Sequence, residues 1–309
     1  MIREFRRADA DKVAALLNEA EPPEGVTGPG IVHWQEKQPE RAHVASWVAE
    51  EDGEIVGWSR AAMRWAVSSE QVGGLWGFVH PTQRRRGLGS ELHERGAAHL
   101  LGCGARVLES WSTTEPEARL LLAQGFRPAR KGTILALETA SADLSGLPEL
   151  ERRMGEDGFR LVPLAAVLDR TRDLHAVDAE AIEDVPDTYA EDDVRFEDWL
   201  DEALGHPQLT KDGSFVALHR ERPVAHALIH LEPGSRIAAN EMTATARDFR
   251  RRGLARLVKL ATIRWAVENG FPTIMTGTDE ANAGMNALNE SLGYRPIATE
   301  TQYLREDLS

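Results

Sequence analysis

Apolar and polar residues alternate along several short runs of the chain, and between those runs apolar residues recur every three or four positions. Alternation marks half-buried strands, and the longer spacing marks amphipathic helices. Ile2 to Arg6 predicts a short strand, followed by a helix with Val13, Leu16 and Leu17 on its apolar face; Arg160 to Leu174 repeats the pairing. A hairpin follows, with Ser46-Trp47-Val48-Ala49, a turn through Glu51-Asp52-Gly53-Glu54, and Ile55-Val56-Gly57-Trp58. Asp-Gly supplies the positive φ angles of a tight turn. Ser214 to Leu218 and Pro223 to Ile229 form its later equivalent. A strand from Gly74 to Val79 leads into an arginine-glycine segment and a helix. The later copy of that helix carries the stripe Leu254, Leu257, Val258, Ala261 and Trp265. Strand Thr273 to Thr276 and a short helix ending at Leu292-Gly293 close the pattern, glycine being a natural C-cap residue.

These parallels are a true repeat. Arg84-Arg85-Arg86-Gly87-Leu88-Gly89 returns 166 residues later as Arg250-Arg251-Arg252-Gly253-Leu254-Ala255, and at the same offset Gly104 to Leu108 falls on Gly270 to Ile274. After a gain of two residues, Gly125-Phe126-Arg127-Pro128 meets Gly293-Tyr294-Arg295-Pro296. Matching punctuation on both flanks implies two copies of one domain. The order strand, helix, three strands, helix, strand, helix, strand predicts an α/β (α+β) fold, each copy a mixed central sheet flanked by helices. The expected division is 1–142, a linker 143–158, and 159–309. Thr139 to Gly158 is rich in Ser, Gly, Pro and charge, with a short helix possible from Pro148 to Met154.

Composition narrows the class. The 309 residues are 42% hydrophobic and 28% charged, the usual mix of a soluble globular chain. Apolar stretches are broken by charge within a dozen residues, so no membrane span is expected. The start, Met1-Ile2-Arg3-Glu4-Phe5-Arg6-Arg7, lacks a secretory apolar region, which points to the cytoplasm. Cys103 is the only cysteine and excludes an intrachain disulfide or a multi-thiolate metal site. The net charge of −14 argues against a nucleic acid partner and suits a cationic small molecule.

A glycine-spaced segment between a strand and a helix N-terminus offers free backbone N–H groups and the positive end of a helix dipole, where phosphate binds. Flanking arginines add charge-assisted hydrogen bonds. No Gly-Lys pair of a Walker loop exists here, and the dinucleotide fingerprint does not match. Arg84-x-x-Gly87-x-Gly89 and Arg250-x-x-Gly253-x-Ala255 instead resemble the Arg/Gln-x-x-Gly-x-Gly/Ala motif of the GNAT N-acetyltransferase superfamily. Val79-His80-Pro81 and the closing Gly125-Phe126 and Gly293-Tyr294 fit that family as well.

The resemblance implies two tandem acyltransferase domains and acetyl-CoA as cofactor. Its contacts would be Phe78, Val79, Arg84, Arg85, Arg86, Gly87, Leu88, Gly89 and Ser90 in the first copy. In the second they would be Met242, Thr243, Ala244, Thr245, Arg250, Arg251, Arg252, Gly253, Leu254 and Ala255, with Asn282 and Asn286 beside the pantetheine arm. Backbone N–H groups of Trp76 to Val79 or Met242 to Thr245 would face the developing oxyanion. A carboxylate near that strand is the natural base, and Glu241 stands there in the second copy where the first has Leu75. The expectation is therefore a catalytic C-terminal copy acting on a small, cationic primary amine, and a degenerate N-terminal one. A non-catalytic acyl-CoA-binding regulator or scaffold is the alternative; monomer and homodimer stay open. The tyrosine that many members place five residues before the closing aromatic is replaced by Leu121 and Asn289, which leaves solvent to protonate the thiolate.

Other features carry weaker expectations. His226 and His230 share a strand face and suit packing or an acceptor cleft better than a metal, and no metal site is expected. Six of the eight tryptophans lie in the first copy, as core or as a stacking surface for a cationic acceptor. The acidic run from Asp178 to Asp193 reads as a solvated loop or as a recruiter of cations over the second copy's acceptor site.

Overall fold

A computed structural model describes the chain except for Glu21, Pro23, Glu24, Pro233, Ser235 and residues 307–309. The elements in order are β1 (Ile2–Glu4), α1 (Ala10–Asn18), α2 (Gly28–Glu36), β2 (Ala45–Glu51), β3 (Glu54–Met63), β4 (Val72–Val79), α3 (Leu88–Gly102), β5 (Val107–Ser112), α4 (Glu115–Ala123) and β6 (Arg127–Glu138). They continue with α5 (Leu147–Glu156), β7 (Phe159–Pro163), α6 (Thr171–Ile182), α7 (Phe196–Trp199), β8 (Phe215–His219), β9 (Arg222–Glu232), β10 (Ile237–Thr245), α8 (Leu254–Glu268), β11 (Thr273–Asp279), α9 (Ala283–Ser291) and β12 (Arg295–Arg305). The predicted Asp-Gly turn is present, with φ of 50° at Asp52 and 84° at Gly53.

Two compact units result, each a mixed sheet with helices as the repeat predicts, but neither is continuous in sequence. Unit 1 holds Met1–Gly132, Asp187–Glu202 and the described part of Ala298–Ser309, and unit 2 holds Thr133–Pro186 and Ala203–Ile297. The contiguous division into 1–142 and 159–309 therefore gives way. In unit 1 the strands run β1-β2-β3-β4-β5-β12, antiparallel except for the parallel pair β4 and β5. In unit 2 they run β6-β11-β10-β9-β8-β7, with β10 and β11 parallel.

The closing strands have thus changed places. Thr301 to Arg305 of β12 pair with Ser112 to Leu108 of β5, which seats Tyr303 and Leu304 in the cores of unit 1. Leu135 and Leu137 of β6 lie in the core of unit 2 beside Ile274 and Tyr294. Both strands bury apolar side chains against a sheet edge, β12 in unit 1 and β6 in unit 2.

The expected linker is core as well. Thr139 donates from its backbone N–H to the Pro272 carbonyl at 2.8 Å. Leu147, Leu150 and Met154 then line one face of α5, spaced three and four apart, and pack with Leu254 and Leu257 of α8.

Residues 187–202 fold onto unit 1 through charge. The Arg64 guanidinium, 11% exposed, meets Glu109 at 3.1 Å, Asp187 at 2.9 Å and Glu191 at 3.2 Å. Asp192 accepts from the Ser68 backbone N–H at 2.9 Å and its hydroxyl at 2.7 Å. Asp198 pairs with Arg41.

Leu147→Ala removes a residue that is 2% exposed and should cost about 2–5 kcal/mol in chemical denaturation. Arg64→Met strands Glu109 without its cation and should cost about 3–5 kcal/mol. In that variant limited proteolysis should cut within 187–202 well before the rest of unit 1.

Candidate active site

In unit 1, β4 and β5 stay paired from Val72↔Val107 to Leu75↔Ser110, and β4 then runs on to Val79 without a β5 partner. The divergence opens a cavity of about 790 Å3, within the range of small-molecule sites. Trp76, Gly77, Phe78 and Val79 of β4 line one side, and Ser110 and Trp111 of β5 the other. Leu120 and Leu121 of α4 and His93 of α3 form further walls. Arg84, Arg85, Gly87, Gly89 and Ser90 stand at the loop end, so these expected cofactor residues do converge with Phe78 and Val79 on one cavity.

The loop is built to present its backbone. Arg85 and Gly87 take φ of 65° and 85°, which turns successive N–H groups toward the N-terminus of α3 and forms an anion-binding nest. Arg84 braces it, donating from Nε to the Val79 carbonyl at 3.0 Å and lying over the Phe78 ring at 5.5 Å. Arg86 pairs with Glu51 at 2.6 Å, whereas Arg85 is exposed at the cavity's edge. A Cβ added to Gly87 would meet nothing within 4 Å. A pyrophosphate and a pantetheine arm fit this cradle. Leu88, at the first turn of α3, is half-buried.

The second loop has the same shape with a different surrounding. Arg251 and Gly253 take φ of 60° and 91°, and Arg250 Nε donates to the Thr245 carbonyl at 2.9 Å. A Cβ at Gly253, however, would lie 3.5 Å from Met154, 3.9 Å from Arg153 and 3.9 Å from Leu150. The residues of α5 thus cover the place that is open beside Gly87. Arg250 is also tied to Asp184 at 2.5 Å and to the Glu180 carbonyl at 3.2 Å, and Arg252 lies over Phe249 at 5.4 Å. Leu254 is buried at 1% exposure and Ala255 is half-buried. The two loops thus differ in surroundings, with α5 side chains beside Gly253 and open space beside Gly87.

The remaining expected residues of the second copy serve local structure. Asn282 caps α9 by accepting from the Met285 N–H at 3.2 Å, and Asn286 donates to the Asp279 carbonyl at 3.1 Å. Thr243 donates to Asn240 at 3.1 Å, and β10 keeps Met242 to Thr245 paired with Leu228 to Ala225 of β9. Glu241 is half exposed and faces His230 at 3.5 Å, whose ring stacks on His206 at 4.2 Å. His226 goes elsewhere, to the buried Asp178 at 2.9 Å. Lys259 and Tyr294, with the ring 5.0 Å from the ammonium, fill the interior beneath β10. Burial brings Lys259 down to about 7.

The opposite face of β3 and β4 in unit 1 holds a second group, outside any sequence motif. Ser59 sends its hydroxyl to α3, and its neighbour Arg60 sends Nη2 to the Trp34 carbonyl of α2 at 3.1 Å. The Arg60 guanidinium lies 5.1 Å over Trp76, whose ring occupies the space that a side chain at Gly74 would need. Trp111 and Trp65 are covered in the same way by Arg130 at 5.0 Å and Arg41 at 5.2 Å. The tryptophan faces expected for a cationic acceptor therefore already carry arginines. Burial lowers Arg60 to about 10, and Glu202 acts on it in the opposite sense.

Glu202 reaches solvent, yet protein crowds it on most sides and pushes its carboxyl above the usual range. Gln38 stands 3.5 Å away, and Glu191 and Asp198 raise the carboxyl further. The acidic run is otherwise spent within the protein, Glu183 and Asp184 on Arg247 and Asp187 and Glu191 on Arg64. Arg60 had a signal in sequence, a charge amid the apolar alternation of Ile55 to Met63. Glu202 had none, because its unit is set by the chain's path. His93 had none either; both its ring nitrogens are enclosed without a partner and burial brings it to about 4.

Known proteins agree with this architecture. The sequence profile described as "Acetyltransferase (GNAT) family" matches residues 11–126 and 170–294, one match in each copy. A mycothiol acetyltransferase of Saccharomonospora viridis is 27% identical over 81% of this chain and 79% of its own. Another from Amycolatopsis mediterranei is 29% identical over 82% of each chain. A tandem GNAT protein from the clavulanic acid biosynthesis pathway superposes with a TM-score of 0.74 at 18% identity, covering 99% of this chain and 98% of its own. An N-acetyltransferase of Sphaerobacter thermophilus gives 0.68 at 20% identity, covering 99% and 95%. No helix among the described residues is long and apolar enough to cross a membrane. With both copies matched and each folded as a mixed sheet around the arginine-glycine loop, the chain belongs to the GNAT family of N-acetyltransferases, in its tandem form.

Proposed function

We propose that the protein transfers the acetyl group of acetyl-CoA to the primary amine of a small acceptor, and that it does so in unit 1. One contrast carries the reading: of two loops with the same backbone shape, Gly87 faces open space while Gly253 lies under Leu150, Arg153 and Met154. The chemistry thereby moves from the C-terminal copy to the N-terminal one, and Glu241 becomes a partner of His230 away from the reacting centre. The mycothiol relatives support acetyl transfer; their acceptor is not carried over at under 30% identity.

When bound, acetyl-CoA supplies an activated acyl thioester. The N–H groups of the Arg85–Gly89 turn and the start of α3 hold its phosphates, with Arg85 adding charge. The end of β4 beyond Leu75 has no β5 partner, so the backbone N–H groups there that β3 leaves free are available to a carbonyl oxygen gaining charge. Glu202 receives the proton that the acceptor ammonium must lose, directly or through one water. Crowding by protein suits it to that role, because a carboxylate lifted above its ordinary range is a stronger base.

Isothermal titration should find acetyl-CoA bound at least about tenfold more weakly by Gly87→Glu, since the new carboxylate opposes the phosphates. Gly253→Glu carries the same backbone strain and should leave the affinity unchanged; the reverse pattern overturns the assignment. Glu202→Gln should lower kcat by about a hundredfold with acetyl-CoA affinity intact. In the unmodified protein Glu202 works ionised, so kcat/KM should fall as pH drops through a pKa above the ordinary glutamate value of about 4.3. That acid limb should vanish in the glutamine variant.

A further inference from the structure

We propose that the acceptor is of amino acid type, an amine that also bears a carboxylate, with Arg60 taking the carboxylate and Glu202 facing the amine. The assignment rests on acetyl transfer in unit 1 and names the acceptor class of that site.

Arg60 is the starting point. It is 9% exposed and uses one hydrogen bond, to the Trp34 carbonyl, while its Nε is enclosed without a partner. Among the described residues no carboxylate lies within 4.0 Å of it. Its neighbours in the unit are treated differently. Arg64 has three carboxylates, Arg41 has Asp198, and Arg3 has Asp9 and Glu50. A guanidinium taken out of water with most of its donors unused is costly unless an anion completes it. The planar fork suits a carboxylate, which it can hold through two parallel bonds.

Glu202 is its complement. It too lacks an ion-pair partner among the described residues, and Gln38 donates to it from 3.5 Å. The two opposite charges feel one another yet are not joined. A ligand carrying both signs satisfies both groups at once. A polyamine would set a second cation against Arg60, and the Trp65, Trp76 and Trp111 faces that could stack on it already carry arginines. An acceptor with no second charge would leave Arg60 as it is. Trp76 connects the two regions, since it supports Arg60 and also lines the cavity opened by β4 and β5.

The test measures thiol release from acetyl-CoA with the common amino acids, each beside its amide and its decarboxylated amine. At least one free amino acid should surpass both counterparts by about tenfold or more in kcat/KM. Arg60→Gln should abolish that preference by raising KM for the acid, with KM for acetyl-CoA unchanged, and Arg60→Lys should fall between. Should Arg60→Gln not fold, thermal shift of the unmodified protein with CoA reads the same preference as stabilisation by the acid and none by the amide. Amides or decarboxylated amines that serve as well as the acids overturn the acceptor class while leaving acetyl transfer standing. Absence of acetyl-CoA binding in calorimetry overturns both.

Discussion

Arg64 is held with three carboxylates around one guanidinium that is almost sealed from solvent. Removing the guanidinium leaves the buried Glu109 without its cation, which costs several kcal/mol. Glu109 comes from β5, but Asp187 and Glu191 arrive from beyond α6, more than a hundred residues later in the chain. Through them residues 187–202 lie on unit 1, and Glu202 at the end of that stretch reaches the neighbourhood of Arg60. The later part of the acidic run, read in sequence as a solvated loop or a recruiter of cations, is thus tied to unit 1 through Asp187, Glu191 and Asp192.

The same economy explains why two copies of one motif have different fates. Backbone shape is intrinsic to Arg-Arg-Arg-Gly, and both loops adopt it with nearly equal φ angles. Accessibility is extrinsic. The apolar face of α5 covers the second loop because Leu147, Leu150 and Met154 find Leu254 and Leu257 there, and Arg250 pairs with Asp184 and donates to the Glu180 carbonyl. Beneath β10 the counterpart of the His93 site holds Lys259, bonded to Asn240 and capped by Tyr294. The second copy thus fills with its own side chains the region that the first leaves to a cavity. The first copy keeps the divergence of β4 and β5 open instead, at the expense of an arginine and a histidine with enclosed, unused donors.

Local pattern made the fold legible to a large degree. Val13, Leu16 and Leu17, the Asp52-Gly53 turn and the stripe from Leu254 to Trp265 each answer to the few residues around them, and each took its expected form. Of the loop residues that answer to the motif, Arg84, Arg85, Gly87, Gly89 and Ser90 converge on one cavity, while Arg86 pairs with Glu51. Glu241 stands out in sequence because its repeat position, Leu75, cannot take a proton, which weighs one strand against its repeat. The carboxylate proposed here instead, Glu202, stands on another stretch of chain altogether. No window of sequence spans Arg60 and Glu202, and a carboxylate's neighbours set its basicity.

Sequence by itself determined that there are two related units, what elements each contains, and where their phosphate-type loops lie, because these follow from periodicity, turn chemistry and repetition. It could not determine which strand closes which sheet. The tails of β6 and β12 present similar alternations, and sheet edges accept any strand of the right register. Tertiary structure decided that Tyr303 and Leu304 serve unit 1 while Leu135 and Leu137 serve unit 2. It also decided which loop lies beside open space and which beside α5. These are questions of what packs against what, and packing joins residues whose separation along the chain carries no information about their contact.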